Sequence, residues 1–184
     1  KKMYIGVGGK ARLCYSAELE KVGMATALST TRYDMRAATV GKYALFAGGY
    51  ISKSPFGYSV GSSVDAYNTS LTKSTPTELS CKRCGHAAAS VGGYALFAGG
   101  ASSYNLLGYY DGLVGSVDAY NASLTRSAAH IFGDTAAIGG AAVGNYALFA
   151  GGTWDMQIND DNVISGVLAY DPSLTFTIAP DLSV

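Results

Sequence analysis

Tyr-Ala-Leu-Phe-Ala-Gly-Gly occurs three times in this chain, beginning at Tyr43, Tyr94 and Tyr146, 51 and 52 residues apart. A second block follows each copy: Ser63-Val64-Asp65-Ala66-Tyr67-Asn68, Ser116-Val117-Asp118-Ala119-Tyr120-Asn121 and Gly166-Val167-Leu168-Ala169-Tyr170-Asp171. A third follows at once, Ser70-Leu71-Thr72, Ser123-Leu124-Thr125 and Ser173-Leu174-Thr175, and an apolar run ending in Val40-Gly41, Val91-Gly92 or Val143-Gly144 precedes each copy. Four ordered blocks recurring three times define a tandem array. A repeat of this length cannot bury its apolar face alone, so neighbours must stack.

Each block reads as a strand. Tyr43, Leu45 and Ala47 alternate with Ala44 and Phe46, a period of two with apolar residues on both sides, as in a sheet buried on both faces. Gly41-Lys42, Gly92-Gly93 and Gly144-Asn145 sit at the spacing of tight hairpins. Tyr-Asn or Tyr-Asp followed by Thr-Ser, Ala-Ser or Pro-Ser makes a second turn of Asx type, which also explains why Asn68-Thr69-Ser70 and Asn121-Ala122-Ser123 resemble glycosylation sequons. Helical periodicity is weak, and only Ala17 to Val22 tempts a helix.

The N-terminus reads as a degraded fourth copy. Tyr4 to Gly9 matches the Ala-Leu-Phe-Ala-Gly-Gly strand, and Cys14 to Leu19 matches Ala66 to Leu71. That copy lacks its first strand, and the chain ends at Leu182-Ser183-Val184, where another first strand is due. The expected organisation is a single repeat domain over 1–184: a partial unit 1–35 and units 36–85, 86–135 and 136–184. About three and a half units make closure the open structural question. Three outcomes fit: a four-bladed ring, a half-ring that dimerises, or a fragment of a larger propeller.

Composition narrows function. Thirteen basic and 13 acidic residues balance to zero, which leaves no footprint for nucleic acid, and no basic cluster goes beyond an adjacent pair such as Lys82-Arg83. Ala136 to Gly152 carries no charge but is rich in glycine and alanine, so it reads as a buried hairpin rather than a membrane helix. No membrane insertion is expected. Three cysteines (Cys14, Cys81 and Cys84) argue against a disulfide framework and for a reducing compartment, or a particle assembled in one.

A glycine doublet closing an apolar strand, then a variable loop, then a strand ending in Tyr-Asn or Tyr-Asp, resembles the kelch repeat. The resemblance covers nearly the whole chain. Arg83 and His86 fall where kelch repeats often carry Arg and His. The wording of the Tyr-Ala-Leu-Phe-Ala-Gly-Gly strand is similar to kelch-like proteins of gut bacteria and their prophages. The opening Lys1 to Arg12 resembles segments of phage tail or structural proteins. The chain departs from the family in lacking a fourth-strand tryptophan, since Trp154 lies in a loop. The resemblance implies an all-β propeller of four-stranded antiparallel blades, and a setting in the bacterial cytoplasm, a phage particle or the cell surface. It fixes no activity, because the fold serves binders and enzymes alike.

In such blades the strand 2–3 loops and the crossings between units emerge at one end. The non-repeating segments Tyr50 to Gly61, Ala101 to Gly115 and Thr153 to Ser165 therefore share a face. They carry Tyr50, Phe56, Tyr58, Tyr104, Tyr109, Tyr110 and Trp154, exposed aromatics suited to stacking on a sugar or anchoring a protein. Cys81, Cys84 and His86 form the one weak metal constellation, with Cys14 a conceivable fourth ligand, but the second paired half of a zinc site is missing. Asp155, Asn159, Asp160, Asp161 and Asn162 cluster without calcium-loop spacing. His86 and His130 are the only histidines and adjoin no nucleophile motif. The expectation is a non-catalytic binding or structural module with no cofactor, recognising a glycan or protein partner. It would form a homodimer or assemble into a larger propeller. The alternative is a propeller enzyme acting on carbohydrate, of galactose-oxidase-like or sialic-acid-epimerase-like type.

Overall fold

The computed structural model describes residues 2–7, 10–16, 24–55, 57–105, 107, 109–129, 133–154 and 163–179. The helix-tempting stretch 17–22, Phe56, His130, the acidic loop 155–162 and the last residues 182–184 lie outside them. All described elements are strands. An N-terminal hairpin joins β1 (Lys2–Val7) to β2 (Lys10–Ser16). The first repeat comprises β3 (Arg36–Val40), β4 (Tyr43–Ala47), β5 (Tyr50–Ser54), β6 (Gly57–Val60), β7 (Val64–Asn68) and β8 (Lys73–Ser74). The second comprises β9 (Ala87–Val91), β10 (Tyr94–Ala98), β11 (Ala101–Tyr104), β12 (Tyr110–Leu113), β13 (Val117–Asn121) and β14 (Arg126–Ala129). The third comprises β15 (Gly139–Val143), β16 (Tyr146–Ala150), β17 (Val167–Tyr170) and β18 (Phe176–Ala179).

Four four-stranded antiparallel sheets result. Three are the repeat sheets β3-β4-β7-β8, β9-β10-β13-β14 and β15-β16-β17-β18. The fourth, in the order β12-β11-β6-β5, is built wholly from the variable segments of the first two repeats. The four-stranded units expected from the blocks are thus present, whereas the variable segments of the first two repeats, expected as loops, are hairpins. The uncharged stretch 136–152 is the β15–β16 hairpin its glycines indicated, but it is not the buried hairpin expected: β15 is exposed along its whole length, because no further sheet packs over it among the described residues.

Within each repeat sheet the second-strand pattern gives two apolar faces. Val40, Leu45, Ala47, Val64 and Ala66, the forward face of the first sheet, pack against Ala95, Phe97 and Tyr120, the rear face of the second, with Leu79 between them. The next junction repeats this plan, Val91, Leu96, Ala98, Val117 and Ala119 meeting Ile138, Ala147, Phe149 and Tyr170. An edge-to-face pair anchors every rear face: Phe46–Tyr67, Phe97–Tyr120 and Phe149–Tyr170, with ring centroids 6.0, 5.9 and 5.8 Å apart. First strands are built of small residues because β3, β9 and β15 run side by side. Ser90 Oγ on β9 donates to the Thr39 carbonyl on β3 at 2.7 Å. The stack runs from first to second to third sheet, and no closed ring forms among the described residues.

The glycine doublet serves this stacking. A Cβ on Gly48 would stand 2.7 Å from both the Arg83 carbonyl oxygen and His86 Cε1 of the next repeat, so only glycine admits the neighbour there. The Gly49 N–H donates to that same Arg83 carbonyl at 2.9 Å, and Gly100 to Thr135 at 2.7 Å.

Buried ion pairs fix the first and second sheets to the connectors that enter them. Arg32 donates to Asp65 at 2.7 Å, and Arg83 donates to Asp118 at 2.8 Å, each pair fully buried. Arg126 adds a second contact to Asp118 at 2.8 Å. In the third repeat Thr135 and Leu168 occupy the two positions, so both charges vanish together. This is the pattern expected if a lone buried charge is costly. The Asx turns form as the sequence indicated. Asn121 Oδ1 accepts from the Ser123 and Thr125 N–H groups at 2.9 and 3.0 Å, with Asn68 and Asp171 equivalent, and the turn holds Leu71, Leu124 and Leu174 at positive φ.

Candidate functional site

The variable segments of the first two repeats fold into hairpins because their ends are fixed by the repeat. In each, the strand following the doublet leaves the repeat sheet and turns back. Asn105 Oδ1 shapes the second turn by accepting from the Leu107 and Tyr109 N–H groups at 3.0 and 3.1 Å. The two hairpins then pair along β6 and β11, with Tyr58 opposite Tyr104. Tyr104 is in turn opposite Tyr110. Strand alternation therefore sets Tyr58, Tyr104 and Tyr110 on one face and Ser59, Ser103 and Asp111 on the other. Ser103 Oγ donates to the Asp111 carboxylate at 3.1 Å on the polar face.

The tyrosine face closes on Tyr50 and Tyr33. Tyr50 lies 5.3 Å from Tyr58 and 5.7 Å from Tyr104 between ring centroids, and Tyr104 lies 5.1 Å from Tyr110. Tyr33 arrives on the connector into the first sheet. Reciprocal backbone bonds to Tyr50 of 3.0 and 2.9 Å hold it there, and its ring stands 5.1 Å from that of Tyr50. Together with Asp34 these five tyrosines line a cleft of about 340 Å³, within the range of small-ligand sites. Val60, Cys84, Ala101 and Ala136 form the apolar floor. The Lys53 ammonium stands 5.4 Å over the Tyr58 ring at the margin.

Burial holds the Tyr50 and Tyr110 phenols and the Cys84 thiol above their ordinary pKa ranges. The two phenols and the thiol are neutral at physiological pH. The cleft thus offers aromatic ring faces, neutral hydroxyls and the Asp34 carboxylate at its mouth. It is equipped to stack on a flat apolar surface and to exchange hydrogen bonds with hydroxyls.

Four of the seven residues singled out from sequence, Tyr50, Tyr58, Tyr104 and Tyr110, meet here. Their exposure differs from expectation: Tyr50 is 7% exposed and the other three are half-buried, since they also form the core of the hairpin sheet. Tyr109 is half-buried at the Asn105 turn, outside the cleft. Trp154 is 57% exposed beyond the third doublet, and Phe56 lies outside the described residues. Tyr33 and Asp34 escaped the sequence reading because they sit in a connector. Their one signal is the register shared with Cys84-Gly85 and Ala136-Ala137, where the second residue has φ of 54, 58 and 57° in turn.

Cys81, Cys84 and His86 face different surroundings. Cys81 Sγ accepts from Arg83 at 3.2 Å, Cys84 lies in the cleft floor, and His86 is fully buried between the first and second sheets. Among the described residues no three His, Cys, Asp or Glu side chains converge. Burial, reinforced by Arg83 and Arg36, pushes the His86 pKa well below its ordinary range. The Ala47 backbone is near enough to oppose this weakly, yet neither ring nitrogen reaches hydrogen-bonding geometry. No protein-family model and no curated protein matches the chain.

Proposed function

We propose that this chain is a kelch-like β-propeller arc acting as a non-catalytic recognition module, and that its tyrosine cleft takes a carbohydrate. The observation that carries the reading is the convergence of Tyr33, Tyr50, Tyr58, Tyr104 and Tyr110 around one cleft, drawn from two repeats and a connector. Three features support a sugar. The ring faces suit the apolar C–H face of a pyranose. The neutral hydroxyls and Asp34 suit its hydroxyl edge. The site is also supported by a hydrogen-bonded sheet and is pre-formed, which limits the ordering cost of binding. The kelch-like identity is supported by the doublet-ended strands, the Arg83 and His86 positions and the four-stranded antiparallel units.

A glycan-array screen of the protein beside its Tyr33→Ala and Asp34→Ala variants tests this. Both side chains are substantially solvent-exposed, and Asp34 also accepts from Arg36 at the start of β3 at 2.6 Å, so an unchanged circular dichroism spectrum is required of each variant. A saturable glycan signal weakened about tenfold or more in Tyr33→Ala, about 1.4 kcal/mol, is the expected result. A signal indifferent to both substitutions, or no glycan signal at all, overturns the reading.

A further inference from the structure

Each repeat sheet is built to be covered on both faces, and two faces are left open by the described residues. The forward face of the third sheet presents Val143, Leu148 and Ala150 at the positions of Val40, Leu45 and Ala47. Val40 and Val91 are each 3% exposed beneath the next sheet, whereas Val143 is 58% exposed and β15 is exposed along its whole length. The hairpin turns report the same vacancy. A Cβ on Gly41 would meet Ala122 at 3.1 Å and one on Gly92 would meet Pro172 at 2.8 Å, each in the Asx turn of the next repeat. One on Gly144 would meet nothing within 4 Å.

The rear face of the first sheet is the other open surface. Leu28, Met35, Ala44, Phe46, Tyr67 and Leu71 line a groove of about 540 Å³ there. These are the positions of Leu79, His86, Ala95, Phe97, Tyr120 and Leu124, which receive the first sheet within the chain. Even the connector bonds agree: the Tyr67 hydroxyl donates to the Thr26 carbonyl at 2.7 Å, as Tyr120 donates to Thr77 at 2.8 Å. The groove is thus a receiving surface already folded into its bound form.

We infer that the occupant is a second copy of this chain, its third sheet seated in the first-sheet groove, with two such junctions closing a two-fold head-to-tail dimer. The two open faces are the missing halves of one interface that the chain already makes twice internally. A second copy covers both at once with the same residue types. Each junction is heterologous, and two of them related by a two-fold close a ring of six repeat sheets, inside the four-to-eight range that propeller rings occupy. In the dimer the Asx turn at Thr69 of one copy lies against Gly144 of the other.

Light scattering across a concentration series tests it, with two variants. The wild-type protein is expected at twice the chain mass. Val143→Glu, at a site already exposed in the single chain and so harmless to its fold, is expected at the single-chain mass with an unchanged circular dichroism spectrum. Thr69→Cys combined with Gly144→Cys is expected to give an oxidised, dimer-sized cross-link. A wild-type protein at single-chain mass overturns the inference. So does a cross-link formed within one chain, which would mean that the third sheet seats on the first sheet of its own chain.

Discussion

The Arg32–Asp65 pair offers the sharpest test of how the repeats are held. Arg32 donates to Asp65 at 2.7 Å, to Ser63 Oγ at 2.8 Å, to the Phe46 carbonyl at 3.0 Å and to the Ser63 carbonyl. Asp65 also accepts from the Ser29 N–H and hydroxyl, at 3.2 and 3.1 Å, so one ion pair ties the connector to β4 and β7. Both side chains are without solvent contact. Arg32→Met strands a carboxylate with only Ser29 for company, and Asp65→Leu strands a guanidinium among carbonyls. Each is expected to cost about 3–5 kcal/mol. Arg32→Met/Asp65→Leu removes both charges, as Thr135 and Leu168 do in the third repeat, and is expected to cost no more than about 2 kcal/mol. The cycle then yields a coupling of at least about 4 kcal/mol. Urea unfolding of the four proteins, with unchanged m-values as the check on a common unfolded state, measures it. Additive losses, or single substitutions each costing under about 1 kcal/mol, would refute the reasoning.

His86→Met puts at a buried position the residue that Met35 supplies in the first repeat. Removing two unpaired ring nitrogens is expected to raise stability at pH 7 by about 1 kcal/mol or more in chemical denaturation. The same variant reports on pH. His86 stays neutral in the folded chain but takes a proton below its ordinary pKa of 6.5 once unfolded, so it erodes stability as pH falls below that value. The loss reaches at most about 1.4 kcal/mol per pH unit. The wild-type-minus-variant difference should therefore grow from pH 7 toward pH 5, and a flat difference contradicts the assignment. Gly99→Ala drives a methyl into Ile138 and to 2.8 Å from the Thr135 carbonyl, whereas Gly151→Ala meets only the Ile164 carbonyl at 3.5 Å. Both lose about 1–2 kcal/mol to positive φ, so in the Val143→Glu background, which keeps the third sheet uncovered, a larger loss at Gly99 in thermal unfolding isolates the cost of the neighbouring sheet. Asn121→Ala should cost about 1 kcal/mol by freeing two N–H groups, and Asn121→Asp should be nearly neutral, as Asp171 does the same work.

The repeat sheets were legible in the sequence because strand alternation and turn chemistry are local. Tyr43 to Ala47 alternates in a way only a two-sided sheet explains, and Asn68, Asn121 and Asp171 each build their turn from the next four residues. The hairpin sheet was not legible. Tyr58 and Tyr104 lie 46 residues apart in segments with no shared wording, and nothing local says that β6 pairs with β11. The tyrosines of the cleft could be picked out as a class, yet their partial burial follows from that pairing. The ion pairs were half visible: Asp65 and Asp118 recur within a block, while their arginines stand in connectors, and the clue was their joint loss in the third repeat. The exposure of Val143 could not be read at all, since the pattern around it is that of Val40 and Val91. What differs is whether another sheet packs over it among the described residues.

Nuclear magnetic resonance of the protein with isotopically labelled tyrosine tests the central claim most directly, because the chain carries its own controls. Titration with the sugar selected on the array should shift the ring resonances of Tyr33, Tyr50, Tyr58, Tyr104 and Tyr110, and leave the repeat tyrosines Tyr43, Tyr94 and Tyr146 in place. Shifts centred on the repeat tyrosines, or spread evenly over both groups, would contradict the cleft as the recognition site.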